Sequence, residues 1–112
     1  MKIYHNPRCS KSRQTLQIIN DNGSSAQIIE YLKHPPTVEE LTELIEKLDI
    51  LPYNLLRRGE KIFKDQYKGK SFSDEEWIGI MCDNPVLIER PIVVKGNKAV
   101  LGRPPENVLE LL

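Results

Sequence analysis

Between Met1 and Tyr31 the hydrophobic period changes twice, and few folds accommodate that change. Lys2 to His5 reads as a short apolar strand that breaks at Asn6-Pro7. A helical pattern starts near Ser10 and runs to about Asn22, where Gly23 supplies a left-handed stop. Ala26 to Tyr31 then returns to strand. A strand, helix and strand joined in one sheet form a right-handed parallel unit in nearly every case.

His34-Pro35-Pro36 ends that unit, and the next segment is helical. Thr37 with Glu40 forms a capping box, and Leu41, Leu44, Ile45 and Leu48 recur at helical spacing, so a helix is expected from Val38 to Leu48. Pro52 starts a short helix through Leu56, leaving Arg57 and Arg58 before Gly59, and Ile62, Phe63 and Tyr67 give another turn or two. A second capping box, Ser73 with Glu76, opens a helix carrying Trp77, Ile78 and Met81 that closes at Asn84-Pro85. Ile92 to Val94 is a β-branched strand, Gly96-Asn97 a tight turn and Ala99 to Leu101 its hairpin partner. Pro104-Pro105 begins a terminal helix. This order predicts a single α/β domain over residues 1–112. It is the order of a thioredoxin-like fold, with a four-stranded mixed sheet and helices inserted between strands 2 and 3.

Cys9 falls at the first strand-to-helix turn, where unpaired N–H groups and the helix dipole favour an anionic sulfur. Arg8, Lys11 and Arg13 lie within four residues of it, and no acid precedes Asp21. Each unit of pKa depression is worth about 1.4 kcal/mol of preference for thiolate. A small buried core cysteine is the competing reading. Elsewhere 16 basic and 16 acidic side chains cancel, so the chain as a whole has no field to gather nucleic acid or an anionic membrane. The apolar runs are too short to span a bilayer. Two cysteines are too few for a disulfide framework, and the first strand leaves no room for a signal peptide, so a cytoplasmic protein is expected.

Four segments carry a resemblance: Ile3-Tyr4-His5-Asn6-Pro7-Arg8-Cys9-Ser10-Lys11-Ser12-Arg13, Leu55-Leu56-Arg57, Arg90-Pro91-Ile92-Val93-Val94 and Gly102-Arg103-Pro104. Together they resemble the ArsC-like, glutaredoxin-coupled arsenate reductases of the thioredoxin superfamily, and within them the shorter YfgD-like branch. The resemblance implies that Cys9 is the nucleophile and that Arg57, Arg90 and Arg103 surround the oxyanion. Arginine suits that task because its planar, permanently charged fork reaches two oxygens at once. A surface ion pair is the alternative for each arginine, with Glu60, Glu89 and Glu106 at hand, and Arg58 could take the place of Arg57. The Arg90-Pro91 bond is expected to be cis by resemblance, although only about 5–6% of such bonds are.

His5 and Ser12 are the candidate supports of the thiolate. Ser12 could offer its hydroxyl to the sulfur or be an ordinary polar residue of a first helical turn. His5 could be cationic beside Cys9 or pack by its ring. The resemblance further implies arsenate or a similar oxyanion as substrate, no bound cofactor or metal, glutathione as co-substrate, glutaredoxin as partner, and a monomer. Ser12 stands where a Cys-x-x-Cys pair would have its second thiol, and Cys82 fits helix packing better than a resolving role. The same superfamily holds Spx-like regulators that bind RNA polymerase, and reductases of the same mechanism with other substrates.

Overall fold

Four short strands form one mixed sheet in the computed structural model, which describes Met1–Leu112. They are β1 (Lys2–His5), β2 (Gln27–Glu30), β3 (Ile92–Lys95) and β4 (Lys98–Leu101), in the order β2-β1-β3-β4. β1 pairs in parallel with β2, Ile3 opposite Ile28 and His5 opposite Glu30, and antiparallel with β3, Ile3 opposite Val93. β3 and β4 make the expected hairpin, with Gly96 at φ +60° in its turn. The fold is thioredoxin-like, as the element order predicts. The chain's internal contacts divide it into two units, Met1–Pro35 with Arg90–Leu112, and Pro36–Glu89.

In the first unit, β1 and β2 are joined by helix α1 (Ser10–Asp21). Gly23, at φ +74°, stops it in a Schellman arrangement: its N–H donates to Asn20 O and that of Ser24 to Ile19 O. Ile19 packs with Ile3, Val93, Val108 and Leu111 in a core cluster whose members are at most 5% exposed. Each such aliphatic side chain contributes about 1.5–3 kcal/mol on burial, more than any exposed ion pair in the molecule. The terminal segment Pro105–Leu111 is a 3-10 helix. Its buried residues, Pro105, Val108 and Leu111, recur every three positions, which is the 3-10 period.

In the second unit both capping boxes form. Glu40 N–H donates to Thr37 Oγ1 at 3.1 Å at the start of α2 (Val38–Leu48), and Glu76 N–H donates to Ser73 Oγ at 3.1 Å. A short helix, α3 (Lys61–Gln66), precedes α4 (Asp74–Asp83), whose Trp77 gathers Tyr53, Phe63, Tyr67 and Phe72 around its ring. Pro52–Leu55 is a 3-10 turn, and a further one at Pro85–Leu87 follows α4. An antiparallel bridge ties the segments after these turns: Leu56 pairs with Ile88, and Arg57 N–H donates to Leu87 O at 2.8 Å. No helix of the chain is long and apolar enough to cross a membrane.

Gly102 is the one glycine whose Cβ position is already filled by neighbouring atoms. A Cβ there would run into Thr15 Oγ1 on α1 and lie 2.7 Å from Pro91 Cγ. Gly79, inside α4, has open space at the same position. Gly102→Ala is therefore expected to cost about 1–3 kcal/mol of unfolding free energy. Gly79→Ala should add about 0.5–1 kcal/mol through helix propensity and lost chain entropy. Urea denaturation of both variants measures the two values; a neutral Gly102→Ala contradicts this packing.

Candidate active site

Cys9 is the N-cap of α1, with φ −92° and ψ 121°. Its carbonyl accepts the N–H of Arg13 at 3.0 Å, and its own N–H donates to Asn6 O at 3.0 Å. The turn that places it is closed by short polar contacts. Asn6 Oδ1 accepts the N–H of Arg8 at 3.0 Å, an Asx turn, and the guanidinium of Arg13 donates to Pro7 O at 3.0 Å. Arg13, read from the sequence as a neighbouring charge, is thus also a brace across the turn.

Ser12 is fully buried, and its hydroxyl lies 2.6 Å from Nδ1 of His5 and accepts the N–H of Asn6 at 3.1 Å. The expectation that this hydroxyl reaches the sulfur is not what the structure presents. It is spent on the end of β1, because the turn brings His5 and Asn6 over the first turn of α1. A buried hydroxyl proton needs an acceptor, and with Asn6 N–H already filling one lone pair, Nδ1 of His5 is the atom that receives it. That leaves the ring proton on Nε2. Burial lowers the His5 pKa, Glu30 opposes this and Arg13 adds to it, so the ring is a neutral imidazole at neutral pH. Of the two readings of His5, the packed ring describes this structure, and its support to Cys9 runs through the geometry of the turn.

What stabilises the thiolate is close at hand. Burial raises the Cys9 pKa, but the backbone N–H of Ser12, the hydrogen bond and charge of Arg90 and the backbone N–H of Lys11 outweigh it, and the net pKa lies below that of an ordinary thiol. Ser12 therefore serves the sulfur through its main chain. Arg103 Nη1 lies 4.0 Å from Cys9 Sγ and donates to Arg90 O at 3.3 Å, linking the two arginines that precede prolines. The Arg90-Pro91 bond is cis as expected, and Arg103-Pro104 is cis as well. Gly102, one residue before Arg103, donates its N–H to Pro91 O at 2.9 Å. Cys9, Arg90 and Arg103 are thus drawn together by β1, β3 and β4.

Arg57 belongs to the Pro36–Glu89 unit, and its guanidinium is engaged there. Nε donates to Glu60 at 3.0 Å and Nη1 to Glu89 at 2.7 Å. Burial lowers its pKa, but these two carboxylates raise it further and hold the charge. Arg58 stacks over the ring of Tyr53, its Cζ 4.7 Å from the centroid. Cys82 is the opposite of Cys9: burial, then Asp83, Glu39 and Glu40, push its thiol pKa up. No cluster of three His, Cys, Asp or Glu side chains is placed to hold a metal ion.

Sequence reasoning missed Asn6 and Thr15. Asn6 is 8% exposed and acts through both side chain and main chain. Its place before Pro7 at a strand end was the available signal. Thr15 is fully buried, donates to Lys11 O at 2.8 Å and packs on the Gly102 backbone, a contact 87 residues away in sequence that no local pattern announces.

The contrast between the two thiols is directly measurable. At pH 7 iodoacetamide should alkylate Cys9 about ten-fold or more faster than Cys82, because only thiolate reacts and a lower pKa leaves more of it. The pH profile of the Cys9 rate should rise through a midpoint below that of an ordinary thiol, and Arg90→Met should move that midpoint upward. Faster labelling of Cys82 contradicts the assignment.

The chain aligns with known proteins along nearly its whole length. The sequence pattern of the ArsC family matches residues 4–111. The uncharacterized protein YfgD of Escherichia coli strain K12 is 45% identical over 114 residues, covering 100% of this chain and 96% of that protein. The arsenate reductase of Yersinia enterocolitica is 43% identical over 111 residues, covering 98% of this chain and 79% of the relative. Among solved structures, an arsenate reductase from Vibrio cholerae superposes with a TM-score of 0.95 at 45% identity, covering 99% of this chain and 96% of that one. These matches establish that the chain belongs to the ArsC family.

Proposed function

We propose that this protein is an arsenate reductase that draws its electrons from glutathione and glutaredoxin in the cytoplasm. The observation that carries this reading is the pairing of a thiolate with two guanidinium groups, Arg103 Nη1 at 4.0 Å from Cys9 Sγ and Arg90 acting on the same sulfur. Two cations against one thiolate leave a site with a surplus positive charge at a helix N-terminus, suited to a small oxyanion. The names of relatives support arsenate as that anion: proteins at 42–43% identity are named arsenate reductases.

The Cys9 thiolate attacks arsenic of the bound arsenate, forming an S–As bond and expelling hydroxide, which leaves as water after protonation. Arg90 and Arg103 balance the charge on the remaining oxygens as the bond forms. A glutathione thiolate then attacks Cys9 Sγ. The S–As bond breaks with its electron pair on arsenic, which falls from As(V) to As(III), while the two sulfurs are oxidised to a mixed disulfide. Glutaredoxin exchanges with that disulfide and returns Cys9 as thiol. No second thiol of this chain enters the cycle, in keeping with Ser12 three residues after Cys9 and with the raised pKa of Cys82. Arg57 enters as a third oxyanion ligand by family likeness alone; its contacts within its own unit are to Glu60 and Glu89.

Arsenate-dependent oxidation of NADPH, with glutathione, glutaredoxin and glutathione reductase supplied, tests this reading. Cys9→Ser should abolish turnover, and Cys82→Ser should keep it within about two-fold. Arg103→Lys, which retains charge but loses the fork, should lower kcat/KM for arsenate by about ten-fold or more. A folded protein with alkylatable Cys9 and no arsenate-dependent rate refutes the assignment.

A further inference from the structure

A cleft of about 210 Å³ opens beside the Cys9 turn, on the side away from β3 in strand order, lined by residues of the β1 turn and of the end of β2. Neither Cys9 nor Arg90 nor Arg103 lines it, so it is distinct from the oxyanion position. It lies where the parallel strands β1 and β2 end, the edge at which open α/β sheets bind ligands. We propose that this cleft is the subsite for the carboxylate-bearing end of the thiol co-substrate; the inference rests on the reductase reading above and adds where its second substrate docks.

Three features select that ligand. Arg8 and Lys33 stand at the cleft as cations and Glu30 as the one carboxylate, so it holds one more positive than negative charge. A tripeptide thiol with two carboxylates and one ammonium has the complementary count. Arg8 has no ion-pair or hydrogen-bond partner for its guanidinium, and Lys33 meets only Glu30, at 3.6 Å across an exposed rim. These charges are available to a ligand. Leu32, 45% exposed and also lining the cleft, offers an apolar surface to the methylene groups of a glutamyl chain.

Size and reach agree with an extended peptide. The volume is below the roughly 300–1,000 Å³ of sites that engulf a whole ligand, so the cleft takes one end and leaves the thiol outside. The Cα of Cys9 is one peptide unit, about 3.8 Å, beyond that of Arg8, well within the span of a tripeptide. A ligand held at Arg8 and Lys33 thus has the length to bring its sulfur to Cys9. His5, packed neutral against Ser12, lines the cleft without adding charge.

S-methylglutathione, which keeps the carboxylates and the ammonium but has no reactive thiol, is the probe. Titrated into isotopically labelled protein, it should shift the amides of His5, Asn6, Arg8 and residues 30–33, and its carboxylate diester should bind at least about five-fold more weakly. Lys33→Glu and Lys33→Gln should each weaken the Kd, Lys33→Glu by about five-fold or more, and Lys64→Glu, the same charge change on α3, should not. Shifts confined to other segments, or a Kd indifferent to both Lys33 variants, overturn the subsite. In the coupled assay, turnover whose dependence on glutathione is the same in wild type and Lys33→Glu also overturns it and leaves the reductase standing. Binding at residues 5–8 and 30–33 in a protein that never turns over arsenate supports the subsite while removing the arsenate assignment.

Discussion

The buried hydroxyl of Ser12 is the constraint on which the site depends. It joins the end of β1 to the first turn of α1 by receiving the N–H of Asn6 and donating to Nδ1 of His5 at 2.6 Å. With no water able to reach it, leaving either partner unpaired would cost about 1–3 kcal/mol, so the turn has one arrangement. That arrangement sets Cys9 as the N-cap, with Arg13 braced on Pro7 O and the main-chain N–H groups of Lys11 and Ser12 free to serve the sulfur. A polar contact far weaker in sum than the apolar core decides where the reactive atom sits.

The charge state of Cys9 is a balance with opposing signs. Burial works against the thiolate; helix N–H groups and arginine work for it and prevail. Neutral His5 takes no direct part, so the positive charge is delivered by arginines just before β3 and just after β4 rather than by an imidazolium. The planar guanidinium fork reaches two oxygens of one anion at once, which an imidazolium does not. The contacts that hold Arg103 near the sulfur pass through Gly102, Pro91 and Thr15, which is why a glycine has to stand at 102.

Much of this was legible in the sequence because its signals are local. β1 at Lys2–His5, α2 at Val38–Leu48, both capping boxes and the Gly23 stop each rest on residues within four positions of one another, and each stands as read. Cys9 at the helix start is equally local. The remainder depends on pairings that the chain order does not display. The Ser12 hydroxyl faces His5 because the turn folds back seven residues, and Thr15 meets Gly102 across 87. Pro104-Pro105 announces only that a helix starts, whereas the 3-10 form shows in the three-residue period of Pro105, Val108 and Leu111. Arg57 carried the family's wording, yet the partners visible around it are the two acids the sequence also offered, Glu60 and Glu89.

In the proposed reductase cycle one sulfur passes through one bond to arsenic and one to glutathione. Mass spectrometry of the protein, acid-quenched after mixing with arsenate and glutathione in the absence of glutaredoxin, reads this directly. A single glutathione on the peptide containing Cys9, formed only when arsenate is present, is the predicted result. Glutathione on Cys82, or on Cys9 to the same extent without arsenate, would contradict it.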